Sequence, residues 1–279
     1  MIRDNDYPCG TEIIINEKIL HVGKLINQGA DGRIYAVDSD GSMYPAVVKY
    51  FSCMYEDELY NSALLEIEAA QRLEKCPYTV EVLGYCVRMK PDGMTEIFIM
   101  MEKMQCCDDI QPGLYDVLQM GMDICLALAY MHRRGLVHCD IKPSNIFLSS
   151  DVIWKLGDFG CTQLKGRCIR RGSPAYCAPE VSRGARCNTV SDIYSLGIVL
   201  YKLLNGGRLP FCPKPVDMMT PDEVENAIRR RLSGESIPPI DGLDMELNHI
   251  LLQMCEFLPH KRIQSPKKLA EMLGCKIKY

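Results

Sequence analysis

The sequence predicts an α+β protein with two lobes: a small antiparallel β-sheet with one main helix, then a larger, mainly helical lobe. Two observations carry this prediction. Between residues 11 and 49, short runs rich in Ile and Val alternate with turn residues, which is typical of antiparallel strands. After residue 113, long stretches with helical patterning replace these short runs.

The first lobe contains the predicted strands. They are short and apolar, and cover residues 12–15, 33–37, 46–49, 80–87 and 96–101. One helix is predicted among them, over residues 56–75, because apolar residues at three- and four-residue spacing share one of its faces: Ala63, Ile67, Ala70 and Leu73.

A polar stretch marked by Pro and Gly, residues 105–113, separates the two patterns, so we place the lobe boundary between residues 102 and 105. The predicted helices of the second lobe cover residues 114–134, 190–204 and 222–232. The predicted organisation is an N-terminal extension, 1–19, and one domain, 20–275, with lobes 20–104 and 105–275.

Composition excludes some classes of function. The 279 residues carry a formal net charge of −4, and Lys and Arg are scattered along the chain. We therefore expect no positive electrostatic field strong enough to bind nucleic acid. The 15 cysteines lie in apolar segments without any Cys-x-x-Cys pair, and we interpret most of them as small buried residues in a reducing cytosol. The first eight residues lack a signal-peptide core, and the apolar stretch 193–204 is too short to cross a bilayer. We therefore expect a cytoplasmic protein with no membrane span.

The strongest signal is a pair of runs: 138–145, His-Cys-Asp-Ile-Lys-Pro-Ser-Asn, and 156–160, Leu-Gly-Asp-Phe-Gly. Asp, Asn and Gly are common in turns, and either run alone would mean little. Together, at this spacing, they resemble the catalytic loop and metal-binding motif of eukaryotic-type serine/threonine protein kinases. The resemblance covers about residues 20–275 and implies a two-lobed protein-kinase-like fold.

The resemblance implies phosphoryl transfer from ATP, a reaction that depends on orienting a hydroxyl group and neutralising phosphate charge. Asp140 would orient the hydroxyl and accept its proton, and Lys142 would contact Asp140. Asn145 and Asp158 would hold Mg²⁺, with Mn²⁺ as an alternative. The implied partners are ATP and protein substrates with Ser or Thr acceptors.

Lys49 ends the run 46–49, Ala-Val-Val-Lys, which resembles the strand whose lysine binds the α- and β-phosphates; Ala46 is assigned to the same nucleotide site. Such a lysine needs a glutamate partner on the following helix. Glu66 and Glu68 are both available there, and the helical face favours Glu66. Glu68 is then a solvated charge.

The run 26–35, Ile-Asn-Gln-Gly-Ala-Asp-Gly-Arg-Ile-Tyr, resembles the glycine-rich loop whose backbone amides approach ATP phosphates. Four of its residues are assigned to the ATP site: Ile26, Gly29, Gly32 and Ile34. Asn27 replaces the first glycine of the family pattern, and Asp31 gives the loop an acidic tip, which would weaken nucleotide binding or slow turnover.

The run 100–104, Met-Met-Glu-Lys-Met, resembles the strand and hinge that receive adenine. Met101 would be the gatekeeper, and the backbone groups of Glu102 and Met104 would bind the base. The alternative interpretation is that these methionines only fill the core and do not bind adenine.

The run 172–180, Gly-Ser-Pro-Ala-Tyr-Cys-Ala-Pro-Glu, resembles the end of the activation segment near the protein substrate. The resemblance implies an ion pair between Glu180 and Arg262, and it implies that Asp192 holds the catalytic loop through backbone amides. Ser173 and Lys142 together resemble the pair that contacts the catalytic aspartate in serine/threonine kinases.

Cys139 replaces an arginine that commonly precedes the catalytic aspartate, which argues against activation by a phosphate on this segment. Basic residues crowd the segment before residue 172: Lys165, Arg167, Arg170 and Arg171. They form either a solvated loop or a surface that prefers acidic substrates.

Two other classes of function stay open. A pseudokinase would bind nucleotide, or nothing, and act as an interaction scaffold. Such proteins often lose one of the residues that this chain keeps: Lys49, Glu66, Asp140, Asn145 and Asp158. A small-molecule phosphotransferase would share the fold, but the run 172–180 and Arg262 argue against it.

Overall fold

The computed structural model describes residues 10–29, 32–38, 45–164 and 172–277, and the chain forms two compact units. The first unit comprises Met1–Lys75, Val80–Met104 and Asp158–Gly160. The second comprises Cys76–Thr79, Gln105–Gly157 and Cys161–Tyr279. The main division falls between Met104 and Gln105, and the α+β class predicted from the sequence is confirmed.

The first unit is built on an antiparallel sheet in the order β1-β2-β3-β4-β6-β5. Its strands are β1 (Glu12–Ile15), β2 (Lys18–Gly29), β3 (Gly32–Asp38), β4 (Ala46–Met54), β5 (Val82–Met89) and β6 (Met94–Glu102), with helix α1 (Glu58–Leu73) between β4 and β5. Asp57 caps α1 by accepting the backbone N–H of Tyr60 at 2.7 Å.

Apolar residues cover both faces of this sheet. One cluster contains Ile13, Ile15, Leu20, Val22, Tyr35, Val48, Tyr50 and Phe98. A second cluster joins the sheet to α1 and contains Phe51, Cys53, Ala63, Ile67, Ile97 and Ile99. The alternation of strand residues therefore fixes which side of β4 and β6 faces the helix.

The sheet begins earlier than the predicted domain start at residue 20. Strand β1 pairs with β2 from Glu12 to Ile15, and the side chains of Ile13 and Ile15 are buried while Ile14 is exposed. The alternating pattern of β1 places it in the core, so the predicted extension, 1–19, contains a strand of the sheet.

The second unit is mainly helical. Its helices are α2 (Leu114–Arg133), α3 (Pro179–Ser182), α4 (Thr189–Leu204), α5 (Pro221–Ser233), α6 (Met245–Met254) and α7 (Pro266–Ile277). Short strands form two small sheets: β7 (Gln105–Cys106), β9 (Ile146–Leu148) and β10 (Trp154–Leu156) in one, and β8 (Leu136–Val137) with β11 (Gln163–Leu164) in the other.

Helix α2 packs against α4, α7 and β10 in the core of the second unit. Among the described residues it is the one helix long and apolar enough to cross a bilayer by length and composition, with a mean hydropathy of 1.2. Of that apolar window, 56% is buried inside the protein. Packing in the core therefore accounts for its apolar character.

Most described cysteines are buried, and none of the described cysteines forms a disulfide. Burial raises the pKa of Cys53 to about 11 and that of Cys255 to about 12, well above the ordinary value of a thiol. These thiols stay protonated at neutral pH and act as small apolar residues.

Candidate active site

In the first unit, Lys49 on β4 contacts two carboxylates. Its Nζ lies 2.7 Å from Oε2 of Glu66 on α1 and 2.9 Å from Oδ1 of Asp158. Lys49 and Glu66 are both buried. Glu68 instead forms an exposed ion pair with Arg72, so of the two glutamates left open by the sequence, the structure places Glu66 against the lysine.

Mutual attraction sets the charges in this cluster. Burial alone would lower the pKa of Lys49, but the carboxylates of Asp158 and Glu66 outweigh it, and the pKa is raised above its ordinary value. Burial raises the pKa of Glu66, and the opposing effect of the Lys49 charge is too small to cancel this rise. Lys49 is thus a fixed cation at neutral pH, suited to hold a phosphate oxygen.

Asp158 is held in a strained backbone conformation, with φ of 61°. The next residues are fixed to α1, because the hydroxyl of Ser62 donates a hydrogen bond to the carbonyl oxygen of Gly160 at 3.1 Å. A β-carbon at Gly160 would approach this hydroxyl to 2.5 Å, so the segment depends on glycine for its close contact with α1.

The predicted glycine-rich loop is the hairpin between β2 and β3. Gly29 pairs with Gly32, and Ile34 lies opposite Lys49 on β4, so the hairpin and the lysine share one region of the sheet. Ile26 is exposed on β2. Ala30 and Asp31, the tip to which the sequence assigned an acidic effect, lie outside the described residues.

Asn27, which replaces the first glycine of the loop pattern, has an exposed side chain. Its Oδ1 accepts the backbone N–H of Gln28 at 2.8 Å. The side chain is thus engaged with its own strand.

The predicted adenine-binding stretch continues from β6. Ala46 on β4 pairs with Glu102, which places the two assigned residues side by side in the sheet. Among the described residues, the backbone N–H and C=O of Met104 form no hydrogen bond. They are free to bind the edge of a base, as the sequence predicts.

In the second unit, the carboxylate of Asp140 is held on both oxygens. Its Oδ1 accepts the backbone N–H of Ser173 at 2.8 Å, and its Oδ2 accepts Nζ of Lys142 at 2.7 Å. Asn145 adds a hydrogen bond from Nδ2 to the carbonyl oxygen of Asp140 at 2.9 Å. Asp140 is almost fully buried, so the carboxylate has a fixed direction.

Asp192 on α4 binds the backbone of the loop that carries Asp140. Its Oδ2 accepts the backbone N–H of His138 at 3.0 Å, and its Oδ1 accepts that of Cys139 at 2.9 Å. This arrangement confirms the predicted role of Asp192. His132 also lies 2.9 Å from the Asp192 carboxylate, a contact that no sequence motif indicated.

The segment 172–180 lies directly against the Asp140 loop. A β-carbon at Gly172 would collide with the carbonyl oxygen of Cys139, so the close approach requires glycine. At the other end of the segment, Glu180 forms a two-point ion pair with Arg262, with distances of 2.8 and 2.6 Å. The predicted ion pair is confirmed. The basic residues at 165–171, for which the sequence left open a solvated loop or a preference for acidic substrates, lie outside the described residues.

The side chains predicted to hold metal offer oxygen atoms, the ligands that Mg²⁺ prefers. Because Nδ2 of Asn145 donates its hydrogen bonds to Asp140, its Oδ1 is the atom left for a cation, and no described residue donates to that oxygen. Asp158 contributes a partly exposed carboxylate. Each of these oxygen atoms is of the kind that a magnesium ion prefers, and phosphate and water would supply the rest of its coordination.

The sequence matches the protein kinase domain over residues 20–273. It is 27% identical over 196 residues to mitogen-activated protein kinase kinase kinase 17 of Arabidopsis thaliana, covering 66% of this chain and 51% of that relative. It is 34% identical over 179 residues to a Wee1-like protein kinase of Oryza sativa subsp. japonica, covering 61% and 33%. It is 31% identical over 158 residues to serine/threonine-protein kinase PknB of Mycobacterium tuberculosis, covering 53% and 24%. The chain thus spans about half or less of the length of these relatives.

Proposed function

This chain belongs to the protein kinase family, and we propose that it transfers the γ-phosphate of ATP to serine and threonine hydroxyls of protein substrates. The observation that carries the proposal is the fixed carboxylate of Asp140, held by Lys142 on one oxygen and by Ser173 on the other. A scaffold that only bound nucleotide would have no need of such an oriented base.

In the proposed reaction, the substrate hydroxyl oxygen forms a bond to the γ-phosphorus, and the bond to the oxygen bridging the β- and γ-phosphates breaks to release ADP. Asp140 orients the hydroxyl and takes its proton. The ammonium group of Lys142, 2.7 Å from Asp140, stabilises the charge that develops nearby.

Lys49 holds the nucleotide by its phosphates, and Glu66 keeps the ammonium group in place. Magnesium, when bound by Asn145 and Asp158, would neutralise phosphate charge. The free backbone groups of Met104 support binding of the adenine base at this position.

Specificity for serine and threonine is supported by Lys142 and Ser173, which both contact Asp140. One relative, from Mycobacterium tuberculosis, is named a serine/threonine kinase. Tyrosine kinases usually carry a different pair at these two positions.

The test supplies radiolabelled ATP and magnesium with three peptide pools whose only acceptors are serine, threonine or tyrosine. We expect label in the first two pools, and a large loss of the transfer rate in Lys142→Met with unchanged ATP affinity. Lys267→Met, which removes an exposed lysine from α7, is the matched control. Label confined to tyrosine would refute the specificity, and ATP binding without transfer would favour a nucleotide-binding scaffold.

A further inference from the structure

Arg231, in the last turn of α5, is a buried arginine that donates four hydrogen bonds. Its Nη1 donates to the carbonyl oxygen of Cys177 at 2.8 Å and to the hydroxyl of Tyr194 at 2.9 Å. Its Nη2 donates to the carbonyl oxygens of Pro174 at 2.9 Å and Ala175 at 3.1 Å. Three of the four acceptors thus belong to the backbone of the segment 172–180.

This arginine occupies a position where an apolar residue is expected. Val224, Ala227 and Arg231 lie at three- and four-residue spacing on the inner face of α5, and Arg231 is only 3% exposed. Among the described residues no carboxylate pairs with it. Burying this charge without a counter-ion costs free energy that hydrogen bonds must offset, and three of its four hydrogen bonds go to the backbone of the segment 172–180.

The carbonyls that Arg231 binds belong to the turn that follows Ser173. The backbone N–H groups of Tyr176 and Cys177 both donate to the carbonyl oxygen of Ser173, at 3.0 Å. The N–H of Ser173 in turn donates to Asp140. The guanidinium group therefore clamps a turn that is bonded directly to the proposed base.

We propose that Arg231 is a positioning residue that holds the segment 172–180 in the conformation that receives a protein substrate. The inference rests on the proposed function and extends it to the docking of the substrate. The planar guanidinium is suited to this task because it directs donors toward several carbonyls at fixed angles, which an ammonium group does not.

Arg231 can hold the segment 172–180 in place without a phosphate on that segment. Cys139 stands where kinases commonly place an arginine that binds a phosphorylated activation segment. Arg231 approaches the segment from α5 and binds uncharged backbone carbonyls, so its hydrogen bonds do not require phosphorylation of the segment.

The test compares the whole chain with Arg231→Leu, Arg231→Lys and the control Arg229→Leu. Arg229 lies on the same helix in an exposed ion pair with Glu225, so the control removes an equal charge from the solvent side. Three quantities are measured in dephosphorylated protein: the KM for a protein substrate such as casein, the Kd for magnesium-ATP, and hydrogen exchange of the segment 172–180.

We expect Arg231→Leu to raise the KM for casein and the exchange rates of the Tyr176 and Cys177 amides by about tenfold, the effect of losing one or two net hydrogen bonds. The Kd for ATP stays within about twofold. Arg231→Lys recovers part of both effects, and the control changes neither. Mere loss of folded protein would lower kcat and leave the KM and Kd unchanged.

Unchanged exchange of the two amides in both Arg231 variants would overturn the proposal, as would an equal weakening of casein and ATP binding. If the wild-type chain transfers no phosphate, the proposed function fails, and the exchange rates alone test the positioning role of Arg231. Faster amide exchange in both Arg231 variants supports that role, and unchanged exchange refutes it. Should Arg231→Leu fail to fold, Arg231→Lys carries the same comparison.

Discussion

Asp192, buried on α4, accepts the backbone N–H of Cys139 at 2.9 Å, and Cys139 has a left-handed backbone with φ of 70°. A non-glycine residue adopts this conformation only where surrounding contacts enforce it. The same carboxylate accepts the N–H of His138. The direction of the Asp140 side chain, one residue later, therefore depends on a carboxylate that lies on another element.

Asp192→Ala leaves two buried N–H groups of the loop without an acceptor. We expect the free energy of unfolding to fall by about 2–6 kcal/mol, since each of the two unsatisfied buried groups costs about 1–3 kcal/mol. Asp192→Asn keeps one acceptor oxygen and should lose less. Urea unfolding checks both values, and equal stability of Asp192→Ala and wild type would contradict the role of this carboxylate.

Glu66→Gln and Glu68→Gln make a matched pair on α1. Glu66 fixes the buried ammonium of Lys49, whereas Glu68 forms an exposed pair with Arg72, worth less than about 1 kcal/mol. We expect Glu66→Gln to lower the transfer rate by about a hundredfold, the order expected when a phosphate contact is misplaced by an ångström. Glu68→Gln should retain the wild-type rate. Equal rates in the two variants would show that the pairing at Lys49 is not functional.

The ion pair between Glu180 and Arg262 makes stability depend on pH. Burial alone would raise the pKa of Glu180, but hydrogen bonds from Arg262 and Ser191 and the charge of Arg262 outweigh it and lower the pKa. The pair therefore stabilises the fold fully above the unfolded pKa, about 4.3, and loses this contribution as pH falls through the lowered folded pKa.

Glu180→Gln should lower the free energy of unfolding near pH 7, because it leaves the buried guanidinium of Arg262 without its partner. The difference from wild type should shrink as the pH falls from about 5 to below 4. Chemical denaturation at several pH values measures this. A difference that stayed constant over that range would contradict a lowered pKa of Glu180.

Val152 is a strained position outside the site. It is β-branched, 69% exposed, and has φ of 60° in the turn between β9 and β10. Val152→Gly should stabilise the protein by about 1 kcal/mol, because glycine adopts this conformation without steric cost. Asp151→Gly, at an exposed neighbour without positive φ, should instead destabilise it. Thermal unfolding of both variants tests the opposite signs.

Much of the site could be predicted because its residues stand in short motifs. The runs 138–145 and 156–160 bring Asp140, Asn145 and Asp158 to their loops by local chain geometry. The family resemblance implied the pairing of Glu180 with Arg262 and the need for a glutamate partner of Lys49, and the helical face favoured Glu66 for that partner.

Two features escaped prediction for physical reasons. The strand at residues 12–15 was predicted, but its membership of the domain was not: β1 belongs to the sheet because Ile13 and Ile15 are buried against residues far along the chain, such as Phe98. Arg231 reaches three backbone carbonyls 54 to 57 residues away, and these carry no side-chain signature. The one available signal was an arginine on the apolar face of α5.

The most direct test of the central claim measures phosphate transfer from radiolabelled ATP with magnesium, comparing wild type, Asp140→Asn, Lys49→Met and the exposed control Asp151→Asn. We predict transfer by wild type and by Asp151→Asn. Loss of the base alone should lower the rate by about a hundredfold or more. Transfer by Asp140→Asn at the wild-type rate, or no transfer by wild type over hours, would contradict the proposed enzyme.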